Sequence, residues 1–298
     1  CHFYENSGVG LYLDDVDLHQ INVSSSHISY NGGGGIVVTG GNVRNLQVCG
    51  CDIEGNMSAD GPATANILID CGGGGAGSAG TAEVAIVGCT IQHSPGPPDS
   101  ANVRFIGLDV DDRRWGNLTI ANNVLSDVQV NLDIQKARGV IIVGNTIWKG
   151  VQYNLRVEDS MHVVVGPNML DRNPRYGGSV AANNGILFRD CQDCTISGLH
   201  VSGVQREEAG LILDNCRRMN VSGCTILDCD NAGILLRNVS KSRVSDCLID
   251  AEPSTSKSWQ PLIASEESDV QLSDNLLGKP VTVRLGRNNP PVELRRDK

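Results

Sequence analysis

Hydrophobic and polar positions along this chain fall into two short patterns that alternate from one end to the other. The first is Gly or Asn followed by apolar, any residue, apolar: GLYL at 10, GIVV at 35, NILI at 66, GLDV at 107 and NLDI at 131. It continues with NLRV at 154, GILF at 185, GLIL at 210, GILL at 233 and, more loosely, PLIA at 261. The second runs apolar, any, small or polar, Cys or Asn, any, apolar, as in VCGCDI, IVGCTI, IANNVL, IVGNTI, VSGCTI, VSDCLI and LSDNLL. From the last apolar residue of a tetrad to that Cys or Asn is 11 residues for Ile134, Val157, Phe188, Leu213, Leu236 and Ala264, and 13 for Leu13, Val38 and Val110. Units of about 22 to 25 residues, each supplying short period-2 strands and polar turns, predict a stacked β-solenoid.

The recurring turn position holds Cys1, Cys51, Cys89, Asn123, Asn145, Asn168, Cys224, Cys247 and Asn275, with Ser26 and Leu199 as exceptions. Stacked about 4.8 Å apart, the asparagines can hydrogen-bond along the stack and the thiols can fill the same buried niche. Cys191 and Cys216 start a second column. The CxxC at 191 to 194 has no second CxxC at zinc-site spacing and falls on repeat positions, so free buried thiols are expected in place of a metal site or a disulfide framework.

On these repeats the chain resembles the right-handed parallel β-helices of the pectin-lyase-like superfamily. The resemblance implies an all-β right-handed parallel β-helix, or solenoid, of about ten coils with three short strands per coil. The helix is expected over residues 1–278, with 279–298 as a C-terminal tail packing on it or extending from it. Cys1-His2-Phe3 aligns with Cys51-Asp52-Ile53, mid-coil, so the first coil needs a cap and upstream residues are expected, a secretion signal among them. An extracellular or periplasmic location follows as an expectation, although residues 1–30 hold no basic start leading into an apolar stretch.

Composition narrows the partners. With 40% apolar and 4% aromatic residues and 35 glycines, the core must be built from Val, Ile and Leu. A net charge of -10 with no Lys/Arg stripe argues against nucleic acid, and no uncharged apolar run is long enough to span a membrane. The glycine-rich stretch CGGGGAGSAG lacks the Lys-Ser/Thr ending of a phosphate loop.

Within each tetrad the apolar pair points inward and the remaining positions point out. The outward pairs at Asp109/Asp111, Asp133/Gln135 and Arg156/Glu158 stand apart. In this register Asp109, Asp133 and Arg156 stack, with Asp111, Gln135 and Glu158 in the row beside them. Two aspartates one strand spacing apart repel, so one carboxyl should titrate high unless a cation intervenes. On a solvated face Arg156 and Glu158 could equally do no more than neutralise their neighbours.

Two chemistries use such a cluster. In one, Asp109, Asp111 and Asp133 hold Ca²⁺ through oxygen ligands while Arg156 engages a uronic acid. The stretch NLDIQKARGVIIVGNTI resembles a pectate lyase segment, which implies a calcium-binding role for Asp133 and a proton-abstracting role for Arg156; Asn131 departs from that family's Asp-Gly. In the other, Asp109 and Asp133 are the paired carboxylates of a glycoside hydrolase. The expected function is therefore a carbohydrate-active enzyme acting on a polysaccharide in a cleft on one β-helix face, by lyase-type cleavage of an acidic glycan or by hydrolysis. The rival class is a non-catalytic glycan-binding or structural β-helix of the tailspike or adhesin kind.

Insertions at 71–83, 92–101, 171–183 and 251–260 could wall such a cleft. Trp115, Tyr153 and Tyr176 offer stacking faces, Arg113, Arg114, Arg175 and Arg189 offer anion contacts, and Asp111, Gln135 and Glu158 offer polar contacts to substrate. His93 is the histidine to test; His27, His162 and His200 fall on ordinary turns. Leu187, Ile212, Leu235 and Ile263 form an outward apolar column that either associates into a homo-oligomer, such as the trimer of phage tailspikes, or is covered by the tail.

Overall fold

The computed structural model describes residues 1–75, 78–93, 96–108, 115–176, 181–252, 258–265, 267–283, 285 and 292–294, the side chains of Trp115 and 292–294 excepted. Apart from a single 3₁₀ turn at Pro174–Tyr176, the regular structure of these residues is β-strand, and the solenoid strands pair in parallel. The chain is a right-handed parallel β-helix with three faces. No helix among the described residues is long and apolar enough to cross a membrane.

The tetrads form the first face, from Val9–Asp14 and Gly34–Thr39 to Ala232–Arg237 and Gln260–Ala264. The second face is a 10-stranded sheet running from Asp17–Ser24 to Asp269–Ser273. The third consists of short strands after the Cys/Asn turn, such as His27–Ser29, Asp52–Glu54 and Thr225–Leu227. In the middle of the molecule Val124–Gln135 and Thr146–Glu158 run unbroken from third face to first.

Alternation does what the pattern requires: along Asn42–Cys49, Val43, Leu46 and Val48 are buried while Asn45 and Gln47 are exposed. Ile36, Ile67, Phe105, Ile134 and Phe188 are fully buried in one continuous core. At the C-terminal end Val281–Val283 pairs antiparallel with Val292–Leu294, and Val281 and Val283 join that core.

Two stacks of polar side chains run along the corners. Asn123 donates through Nδ2 to Asn145 Oδ1 at 3.0 Å, and Asn145 to Asn168 at 2.9 Å, in the column read from the sequence. A second ladder links Asn6, Asn31, Asn56, Asn66, Asn102, Asn131 and Asn154 through successive amide contacts of 2.7 to 2.9 Å. It draws Asn6, Asn31 and Asn56 from the turn before a tetrad and the others from the tetrad's first position. Gly35 shows why the source changes: a Cβ there would stand 2.9 Å from Asn56 Nδ2, so glycine leaves room for the amide.

The cysteines are free, and most are buried. Burial pushes the Cys71 and Cys89 thiols up to about 11 and those of Cys194 and Cys229 up to about 12.

The coil around residue 105 departs from the sequence reading. The strand is Ala101–Ile106, and its tetrad is Asn102-Val103-Arg104-Phe105; Gly107 and Leu108 lie beyond its end. Arg104 is therefore the register partner of Leu68 on one side and Asp133 on the other. The apolar column is also not an exposed surface. Leu187, Ile212 and Leu235 stack in register but are only 3, 5 and 7% exposed, packed with Ala209, Ala232 and Tyr153; Ile263, at 40%, is the open member. Three of the four residues expected to join copies of the chain are thus already covered by its own side chains.

Candidate functional site

Along the first face the outward row reads Val37, Leu68, Arg104, Asp133, Arg156, Leu187, Ile212 and Leu235, each in register with the next. An apolar row is thus interrupted in three consecutive coils by an Arg-Asp-Arg triad. Asp133 is 0% exposed, and the arginine side chains beside it are 11 and 14% exposed for Arg104 and Arg156. Arg156 grips the carboxylate with two donors, Nε to Oδ1 and Nη2 to Oδ2, each at 3.0 Å. Arg104 Nε donates to Oδ2 at 2.6 Å, and Gln135 Nε2 reaches the same oxygen at 3.1 Å.

The electrostatics follow from this geometry. Burial pushes the Asp133 carboxyl up, but the Arg156 hydrogen bonds and the charges of Arg104 and Arg156 outweigh it and hold the group below its ordinary range. Burial works against the Arg156 charge too, yet the bond to Asp133 and the charges of Asp133 and Glu158 raise its pKa further. The repelling pair of aspartates expected here is replaced by alternating charge, because position 104, not 109, faces 133.

The rim carries the rest. Asp99, an exposed residue, receives Arg156 Nη1 at 3.2 Å and the Arg104 Nη2 donor through its backbone carbonyl. Glu158 Oε2 lies 3.8 Å from Arg156 Nε. Glu158 also accepts from Arg189 at 3.0 Å, and Arg189 and Arg237 both approach Asp214, so the second row is a chain of alternating ion pairs. The Tyr153 ring lies under Arg156, 5.7 Å from ring centroid to guanidinium carbon, a cation–π contact.

Of the residues singled out from sequence, Asp133, Arg156, Gln135, Glu158 and Arg189 come together here, with Tyr153. Asp109, Asp111 and Arg113, with Arg114, lie outside the described residues, as does the Trp115 side chain. Tyr176 is elsewhere: its ring packs at 5.6 Å on Trp148 beside the third face. Asp133 is the counter-ion of two guanidinium groups with both oxygens engaged, which sets it against the expected role as a calcium ligand. Arg156, held in its charged form, has the opposite of the electronic state a proton-abstracting base needs. Arg104 and Asp99 were not found by sequence reasoning. The signal was present, since NVRF fits the tetrad template as well as GLDV does.

The profile of a family described as periplasmic copper-binding protein (NosD) matches residues 82–285, more than half of the chain. The chain belongs to the NosD family. The fold superposes on the A-module of the Azotobacter vinelandii mannuronan C-5 epimerase AlgE4 with TM-score 0.52 and 12% identity, over 96% of this chain and 84% of that one. The enzymatically active domain of bacteriophage CBA120 tailspike protein 2 aligns at 0.45 and 12%, over 89% of this chain and 43% of that one. At such identities the likeness is one of fold. No curated protein matches the sequence significantly.

Proposed function

We propose that this NosD-family β-helix works in the periplasm or outside the cell and binds an acidic polysaccharide across its first face, with Arg104 and Arg156 receiving sugar carboxylates. The observation that carries this reading is the interrupted row. Apolar side chains fill the same position in the coils on either side, and a buried ion cluster is weak evidence for stability because desolvation offsets most of its attraction. What the triad supplies is two planar guanidinium groups fixed by a carboxylate behind them, the arrangement that suits bidentate recognition of carboxylates. Asp99 sits where a substrate carboxylate would take over the Arg156 Nη1 donor, and Tyr153 gives the apolar surface beside it.

The finer reading is lyase-type cleavage. A guanidinium held charged neutralises the uronate carboxylate and so acidifies the neighbouring C–H, whose proton passes to a base from solvent as the C–O bond to the leaving sugar breaks and that oxygen is protonated. In this role Arg156 is the electrostatic partner of the substrate and not the base. Hydrolysis is the second reading, favoured by two further carboxylates, Asp99 and Glu158, lying beside Arg156.

The family's description names copper. Copper takes imidazole and thiolate ligands. Within 82–285 the thiols of Cys191, Cys194, Cys216 and Cys224 are buried and bonded to backbone carbonyls. Among the described residues, no three His, Cys, Asp or Glu donors converge inside that segment. The described residues of that segment do not fit a copper centre.

The test is incubation with pectate, mannuronan, alginate and neutral glycans, with and without a calcium chelator. Ultraviolet-absorbing unsaturated ends mark the lyase, reducing ends without them the hydrolase, and retention without cleavage a binding protein. If no acidic glycan is retained, or if Arg104→Met and Arg156→Met retain it as the wild type does, the reading falls.

A further inference from the structure

We propose that the third face of the first coils binds a divalent first-row transition ion between the imidazoles of His27 and His93 and the carboxylates of Asp52 and Glu54. The parallel register builds this cluster. His27 pairs with His2 before it and Asp52 after it, while Glu54 lies two residues along the Asp52–Glu54 strand and so points to the same side. Gln92 is the register partner of Glu54, which brings His93, the next residue, to its edge.

The donor atoms already converge. One ligand atom each from His27, Asp52 and Glu54 lie within 4.8 Å of one another. His27 Nδ1 stands 3.8 Å from Asp52 Oδ2, and His93 Nε2 stands 3.6 Å from Glu54 Oε2. Ligands at the usual zinc distances sit about 3.4 Å apart in a tetrahedron, so small rotations bring His27, Asp52 and Glu54 onto one ion, while His93 lies outside that group and joins it by a larger swing of its exposed ring beside Glu54. Tyr30 Oη donates to Glu54 Oε1 at 3.3 Å, which fixes that carboxylate and leaves Oε2 turned to the ion, as an outer hydrogen bond does in built metal sites.

The chemistry selects the class of ion. Two imidazoles and two carboxylates suit a borderline divalent ion such as Zn²⁺, whereas Ca²⁺ takes six to eight oxygens. Side by side, Asp52 and Glu54 repel, and a dication relieves that repulsion where a neutral turn does not. His27, Asp52 and Glu54 precede residues 82–285, and His93 alone of the four lies inside that segment. The site is on a different face from the Arg104–Arg156 pair and does not depend on it.

Chelator-stripped protein is dialysed against Zn²⁺, with Cu²⁺ in parallel, and bound metal is counted. One Zn²⁺ per chain is expected, together with a rise in thermal midpoint on adding Zn²⁺. Affinity falls at least tenfold in His27→Gln and in His93→Gln and is unchanged in His162→Gln. His93 is half-exposed, so its variant keeps the test open if Glu54→Gln fails to fold. A wild type that retains no Zn²⁺, or a His27→Gln/His93→Gln double variant that binds it with wild-type affinity, overturns the proposal.

Discussion

Replacing the triad by apolar side chains separates stability from recognition. The perturbation is Arg104→Met, Asp133→Leu and Arg156→Met together, which continues the Leu68 and Leu187 row through the three coils. Removing Asp133 alone leaves two guanidinium groups facing each other across the coil between them, about two strand spacings apart. At ~9.6 Å and an effective dielectric of ~20 their repulsion is about 1.7 kcal/mol, and the hydrogen bonds each loses with the carboxylate bring the cost toward the roughly 3 to 5 kcal/mol lost when one partner of a buried pair is deleted. Both side chains keep some access to water and can swing outward, so about 3 kcal/mol is expected for Asp133→Ala, more than a hundredfold in the unfolding equilibrium. The triple variant strands no charge and is expected to match the wild type or exceed it by ~1 to 4 kcal/mol. Urea unfolding followed by circular dichroism, compared at equal slope, reads both numbers. The triple variant should also lose acidic-glycan retention. If it is less stable than the wild type by more than about 2 kcal/mol, the triad serves the fold and the functional argument from the interrupted row is refuted.

Other outcomes follow from single features. The Asp133 carboxyl is held below its ordinary range, so its contribution is complete above about pH 4, where the unfolded group is ionised, and is lost as pH falls through the lower folded value. Asp133→Asn should flatten that acid limb of the stability profile, and an unchanged limb would show that other carboxylates control it. Asn131→Ala removes amide bonds to Asn102 and Asn154 and deprives a buried donor on Asn102 and a buried acceptor on Asn154 of that partner, at about 2 to 4 kcal/mol by denaturant titration. Iodoacetamide on the native protein should label the exposed Cys1 and spare Cys71, Cys89, Cys194 and Cys229, whose buried thiols titrate at about 11 to 12; mass spectrometry showing equal labelling would contradict the packing.

Most of the solenoid is legible because its determinants are local. The tetrads ending at Ile134, Val157, Phe188, Leu213 and Leu236 have a fixed distance to the next Cys or Asn, and their register in the structure follows it. The site was half legible for the same reason: Asp133 and Arg156 belong to two such coils. Position 104 was not, because NVRF and GLDV both satisfy the template, and the 13-residue spacing from Val110 to Asn123 imitates earlier coils. What decides between them is non-local. Asn102 takes the Asn66 amide at 2.8 Å and gives its own to Asn131 at 2.7 Å, a contact across coils that no linear pattern encodes. The buried state of Leu187, Ile212 and Leu235 was missed likewise, since it depends on Ala209, Ala232 and Tyr153 leaning over the row.

The amide ladder that ends at Asn154 makes the rod mechanically unequal along its length. Gly185 takes that corner position in the next coil, and Gly210 and Gly233 take it in the two after it, without a side chain to grip the neighbour. Loss of order should therefore spread from the carboxyl-terminal turns and stall near residue 154, and deuterium uptake at the amides of 211–214 and 232–237 should outrun that at 65–70 and 101–106.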